Sequence, residues 1–303
     1  MTKGKLVRLT LAACLVIMTA ALAAQAQANR TFIRSNGTDA GTCPVTTPCL
    51  TLNFAHSMTN VGGEIVVMDS YGVGQLTITK AITIMSAPGV IGFVKAQPST
   101  SGITVAAGAT ETVVLRNLVI GGQNGASTTG IFHNSGRLSI ENCSVSLLTT
   151  GLRAVAGTVV ALNSSFSSNT SRGVHVSGTA KVFLENCNIS YNDRGVTVDG
   201  FGGCPQANPV QPATTIAILN GGVVAGSTSF AFEMLNAGGA CPNGQAAHGQ
   251  NIYLRIGAAG TDFLTNVPNY SNSNTNFLFV QGQASGNQIL IGTYQNPNQG
   301  RQP

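Results

Sequence analysis

Two carboxylates open the question of chemistry. Asp199 and Glu233 fall at the same position when IAILNGGVVAGSTSFAFEM (216–234) is set under VFLENCNISYNDRGVTVDG (182–200) at an offset of 34. On neighbouring strands such a pair would stand about 5 Å apart, the spacing used in retaining glycoside hydrolysis. His175 and Arg153 fall on the adjoining outward column, and Asp193, Arg194 and Arg172 at the corner before it. The catalytic candidates are therefore Asp199, Glu233 and His175, and the binding candidates are Arg153, His175, Arg172 and Arg194. The plainer reading is a solvated strand face on which two acids are balanced by nearby arginines, because surface charges are common at strand ends.

A second feature looks chemical. Glu-Asn-Cys occurs twice, in LSIENCSVS (138–146) and VFLENCNIS (182–190). A metal site would need further Cys or His at the same level. None is evident, so no metal and no cofactor are expected. His56 falls in a helical stretch, His133 at an irregularity of the pattern and His248 in a loop. Each reads as structural or exposed.

The elements that must position these residues show in the repeat. LSIENCSVS (138–146), VALNSSFSS (160–168) and VFLENCNIS (182–190) start 22 residues apart, and GLRAV (151–155), GVHVS (173–177) and GVTVD (195–199) keep the same interval. A period in the low twenties, built of short β runs and Gly/Asn turns, marks a solenoid. The Leu ladder of a leucine-rich repeat is missing. Apolar residues alternate inward within each run, as Val196 and Val198 do in GVTVD, with Thr197 and Asp199 outward. In this alignment Asn117, Asn142, Asn186 and Asn220 share one position with Ser164 interrupting. Their amides are expected to stack inward along the axis or to serve a corner's turn conformation.

The same alignment places Cys143 and Cys187 two coils apart with Ser165 between them, roughly 9–10 Å. That exceeds the reach of a disulfide, so both are expected to point inward as small hydrophobes. Cys204 and Cys241 fall close together on adjacent coils and are expected to bridge. Cys43 and Cys49, in CPVTTPC, are expected to close a small loop.

Composition sets the compartment. Lys3, Lys5 and Arg8 precede LTLAACLVIMTAALAA and then AQAQA, the pattern of a cleaved signal peptide over residues 1–28. Cys14 sits inside the apolar run rather than at its end, a poor position for lipidation. Without that leader, 12 basic and 10 acidic groups remain. The near balance removes the case for nucleic-acid binding that a pI near 8.9 suggests. No later apolar run is long enough to span a membrane. The expected organisation is a segment over 29–50 holding the small disulfide loop, a solenoid over 51–292 and a polar tail over 293–303.

TPCLTLNFAHSMTNVGGEIVVMDSYGVGQLTITKAITIMSAPGV (47–90) carries a resemblance. The chain resembles right-handed parallel β-helix proteins of the pectin-lyase-like superfamily, and most resembles secreted bacterial members without assigned activity. The resemblance implies an all-β solenoid with a short N-terminal capping helix, here LTLNFAHSM with Leu52 and Ala55 facing the first coil. The superfamily's enzymes cleave or modify acidic polysaccharides, but the paired aspartates, the G-H-G segment and the calcium-binding acid cluster of those enzymes have no counterpart here. No catalytic residue carries over. The expectation is an exported protein, secreted or periplasmic and associated with the cell surface, that acts as a binding or structural module on a polysaccharide or cell-surface glycan. The alternative is a polysaccharide hydrolase or lyase with its site near Asp199 and Glu233. The absence of Trp weakens tight glycan binding, since sugars favour aromatic platforms.

Overall fold

The computed structural model describes residues 27–122, 128–201, 215–237, 252–257, 261–264, 270–272 and 277–281; side chains are not described for 199–201, 215, 216, 218, 230, 231 or from 234 onward. The leader up to residue 26, Cys14, the Cys204–Cys241 pair, His248 and the tail over 293–303 lie outside the described residues.

The coils are built from short strands on three faces, and strands on the same face pair in parallel from one coil to the next. In the middle of the chain the first face is built from Thr112–Arg116, Arg137–Glu141, Thr158–Leu162 and the start of Lys181–Ser190. The second runs through Leu118–Gly121, Ser144–Ser146, Ser165–Ser167 and the end of Lys181–Ser190. The third stacks Thr129–Ser135, Thr150–Ala154, Arg172–Ser177, Arg194–Phe201 and Phe230–Ala237. This is the expected right-handed parallel β-helix.

The register differs from the one the sequence suggests. Leu138 pairs with Val159 and Val159 with Val182, so the steps are 21 and 23 residues rather than two of 22. Because side chains alternate, a slip of one residue moves the whole middle strand to the opposite face. The true register lines up Ile140, Ala161 and Leu184, all buried, and Val145, Phe166 and Ile189, also buried. Small Ala161 and large Phe166 share one coil, so a narrow level on one face is offset by a bulky one on the next. Such compensation keeps a solenoid core at constant cross-section and close-packed. Each of these large side chains contributes about 1.5–3 kcal/mol by leaving water.

The shift also corrects the asparagine column. Asn163, not Ser164, lies between Asn142 and Asn186, and Gly221 rather than Asn220 follows. Asn117, Asn142, Asn163 and Asn186 have φ between 48° and 56°, and Gly221 has 69°. Asn142, Asn163 and Asn186 are exposed, so the amides do not stack inward. The column exists because asparagine tolerates the left-handed conformation the corner demands. Ser164 instead belongs to an inward column with Cys143 and Cys187. Those cysteines are buried and unbridged, as expected. All three side chains donate to main-chain carbonyls: Cys143 to Leu115 and Glu141, Ser164 to Ile140 and Leu162, Cys187 to Ala161 and Glu185.

Stacked amides do occur, at the corner between the second and third faces. Asn169 and Asn192 are 2% and 0% exposed. Asn192 Oδ1 accepts from Asn169 N at 3.0 Å and Nδ2 at 2.9 Å, while its own Nδ2 donates to Phe166 O at 2.9 Å. Asn169 Oδ1 accepts from Leu148 N in the coil below. The glycines that follow make room for this ladder. A Cβ on Gly173 would lie 2.7 Å from Asn192 Nδ2 and 2.8 Å from Gly195 O.

The open end is closed as the resemblance implies. Leu52–Met58 forms a helix with Thr51 as its N-cap and Leu52 and Ala55 buried. Asp39 accepts from Leu50 N, Thr51 N and Thr51 Oγ1, fixing the helix start to the preceding loop. Cys43 and Cys49 are bridged. Their backbone groups pair with Phe32, in the strand Ala28–Ile33, and so cover the exposed edge of the first coil. Among the described residues no helix is long and apolar enough to cross a membrane.

Candidate functional site

The third face holds the charged candidates. Its outward column reads Phe132, Arg153, His175, Thr197 and Glu233 on successive coils. Beside it, at the corner, Thr150, Arg172, Arg194 and Phe230 are paired in the same way. The structure therefore brings together Arg153, His175, Arg172, Arg194 and Glu233.

It does not form the expected carboxylate pair. The offset between these coils is 36 residues on the third face, not 34, so Glu233 pairs with Thr197 and Asp199 pairs with Leu235. Asp199 stands one coil away from Glu233 and two residues along the strand, about 8 Å between Cα atoms. The 5 Å geometry inferred from the alignment is absent. Glu233 is also committed elsewhere. It is 4% exposed, its Oε2 accepts from Thr197 Oγ1 at 3.0 Å, and its Oε1 lies 3.0 Å from Arg194 Nε. That last contact falls outside hydrogen-bonding geometry, so it is an ion pair rather than a directed bond.

Asp193 forms the other acidic anchor. Its Oδ1 accepts from Thr228 Oγ1 at 2.9 Å and from Ser229 Oγ, and its Oδ2 lies 3.6 Å from Arg194 Nη1. Partial burial pushes the carboxyl's pKa up. The hydroxyls of Ser229 and Thr228 and the fields of Arg194 and Arg172 outweigh that, leaving the pKa below its usual value. Asp193 and Glu233 thus both engage Arg194. Arg153 is exposed, with its guanidinium carbon 5.7 Å from the Phe132 ring centre. Arg172 and His175 are half-buried.

The alignment missed Thr197 as Glu233's partner, and missed Thr228 and Ser229 altogether. A signal was available in the glycine of TGI, TGL, RGV and RGV. Carried onto FAF at Ala231, it gives an offset of 36. The other isolated polar residues resolve as structural. Arg116 pairs with Glu141 at 2.7 Å, and Leu162 separates Glu141 from Glu185. Asp69 accepts from Ser35. Among the described residues no group of three or more His, Cys, Asp or Glu side chains is placed to hold a metal. One open cleft of about 550 Å³, lined by Arg34, Asn36, Thr38, Thr46 and Pro48 among others, lies at the disulfide loop, far along the chain from the charged face.

No family model matches the chain, and no curated protein matches it. Among solved structures, the pectate lyase Pel9A is 14% identical, with 88% of this chain and 82% of that one covered and a TM-score of 0.48. The A-module of the Azotobacter vinelandii mannuronan C-5 epimerase AlgE4 is 11% identical, with 74% and 89% covered and a TM-score of 0.35. The parallel stacking of the strands, rather than these distant likenesses, establishes the β-helix.

Proposed function

We propose that this protein is an exported, non-catalytic binding module whose third face holds an acidic polysaccharide. The observation that carries the reading is the clustering of basic side chains on neighbouring strands of one face. Arg172 pairs directly with Arg194, and Arg153 directly with His175. Asp193 and Glu233 both engage Arg194, and Asp193 also lies in the field of Arg172, so the basic groups of this face form one cluster with these acids. A polymer with a carboxylate on successive units, laid along the solenoid axis, meets Arg153, Arg172 and Arg194 on three successive coils, about 4.8 Å apart. Arginine suits the task because its planar fork takes a carboxylate in bidentate fashion. The Cys43–Cys49 bridge supports export to an oxidising compartment.

The hydrolase reading loses its support here. Glu233 has both oxygens engaged and little access to water, and Asp199 is out of register with it. Calorimetric titration with a polyuronate and with a neutral glucan tests the proposal. The polyuronate is expected to bind, to weaken steeply between low and physiological salt, and to emerge at its original length. Equal affinity for the neutral glucan, or shortened or unsaturated products, would overturn it.

A further inference from the structure

Tyr191 is the most exposed of the large hydrophobic side chains among the described residues, at 73%. It stands in the turn that leads through Asp193 into Arg194, at the edge of the charged face. Its backbone has φ 56°, as have its equivalents Leu147 (59°), Ser168 (55°) and Gly226 (61°) on neighbouring coils. A bulky side chain in that conformation is uncommon. Leu147 and Tyr191 both point to water, Leu147 at 48% exposure, and they are separated only by small Ser168.

The next coil accommodates the ring. A Cβ at Gly226 would lie 2.8 Å from Tyr191 Cδ1 and 3.0 Å from Cε1. One side of the ring therefore rests on bare glycine backbone, and the rest is left in water. The result is a supported aromatic surface three residues before Arg194 in the chain. A pyranose ring has an apolar C–H face that packs on such a ring, while its carboxylate and hydroxyls turn to charged and polar partners. Tyrosine joins an apolar body to a hydroxyl, which suits a half-wet contact of this kind.

We propose that Tyr191 is a sugar-stacking subsite, occupied by a pyranose unit of the same polymer whose carboxylates lie over Arg172 and Arg194. Ser168 forms the dip beside the ring, and Leu147 receives the next stretch of the polymer. The subsite rests on the binding role proposed above, and supplies an aromatic platform in a chain without Trp.

The chain contains no Trp, so Tyr191→Trp creates a single fluorescent reporter at the subsite. Titration with a polyuronate is expected to shift the indole emission, saturating at the midpoint measured by calorimetry. Tyr191→Ala is expected to weaken binding about tenfold with an unchanged salt dependence, while Tyr191→Phe retains most of the affinity. Circular dichroism and the thermal midpoint check that each variant folds. Polyuronate binding that leaves the emission unmoved, with Tyr191→Ala within twofold of the parent, overturns the subsite and leaves the arginine face standing. An emission response to neutral oligosaccharides alone supports the stacking and overturns the acidic ligand. No response to either, and no binding by calorimetry, overturns both.

Discussion

Two stacks of identical side chains meet at one corner of the solenoid, Asn169 on Asn192 and Arg172 on Arg194. The asparagines are buried, and each amide meets the needs of its neighbour and of the adjacent backbone. The arginines are half-buried, and Arg194 lies against the carboxylates of Asp193 and Glu233. A repeat fold places like beside like at every level, so stacking is unavoidable. What differs is whether the stacked group can satisfy its own copy. An amide is both donor and acceptor and can; a guanidinium is donor only and cannot. The first kind of stack satisfies itself, and the second depends on acids beside it, as Arg194 does on Asp193 and Glu233.

Breaking the asparagine stack should have the largest effect. Asn192→Ala removes the acceptor of two Asn169 donors and the donor to Phe166 O, leaving buried polar groups unpaired. The expected loss is about 4 kcal/mol, seen as a lower urea midpoint. Asn192→Asp keeps the acceptor and loses the donor. It should lose more stability than a surface substitution, because its charge would also be buried.

A third column holds a buried polar group that is poorly satisfied. His133 occupies an inward column with Val105, Ala154 and Val176, next to an irregularity in the strand pairing. It is 0% exposed, and neither ring nitrogen has a hydrogen-bond partner. Burial pulls its pKa down from 6.5 to about 4, only partly offset by the Gly136 backbone. The unfolded chain then takes up the proton first as pH falls. Stability is complete above pH 6.5, declines between 6.5 and about 4, and levels off below, with a loss of as much as about 3 kcal/mol. Burial and the field of Lys80 likewise hold the His56 pKa down at about 4, so the parent shows the sum of the two. His133→Leu should remove its own share of the slope in denaturation curves taken from pH 7 to 4. An unchanged slope would place the acid sensitivity elsewhere.

The arginine stack should respond differently from the asparagine stack. Arg172→Thr copies Thr150, its equivalent one coil earlier. Stability is expected to change by less than about 1 kcal/mol, while polyuronate affinity falls about tenfold. A destabilisation comparable to that of Asn192→Ala would make Arg172 a structural residue and remove the distinction between the stacks.

The rod was legible in sequence because its signals are periodic. Alternating Val and Ile, recurring Gly and Asn, and the helix at 52–58 all survive a register error. The charged face was only half legible. Arg153 beside His175 and Arg172 beside Arg194 follow from the GVHVS and GVTVD interval, which is truly 22 on the third face. Across the next coil the interval stretches to 35 on the first face and 36 on the third. Any pairing inferred from one offset was bound to slip, and the Asp199–Glu233 dyad was such a pairing. Asn169 and Asn192 escaped notice for another reason. In sequence they look like any corner asparagine, and only burial separates an amide that bonds inward from one that merely permits a turn.

The Cys143, Ser164 and Cys187 column gives the smallest effect and the finest test. A thiol and a hydroxyl share one task there, each donating to the carbonyl two residues before it, ahead of the corner, while Ser164 Oγ also accepts from Cys143 N. Burial raises the pKa of both cysteines to about 11, which keeps them as neutral thiols and poor nucleophiles. Cys143→Ser should therefore change stability by less than about 1 kcal/mol. Cys143→Ala, which removes the donor but keeps a small apolar group, should cost more than the serine variant. If alanine were the better tolerated, the side chains would serve by volume alone. Satisfaction of the backbone by stacked side chains would then rest on the asparagines only.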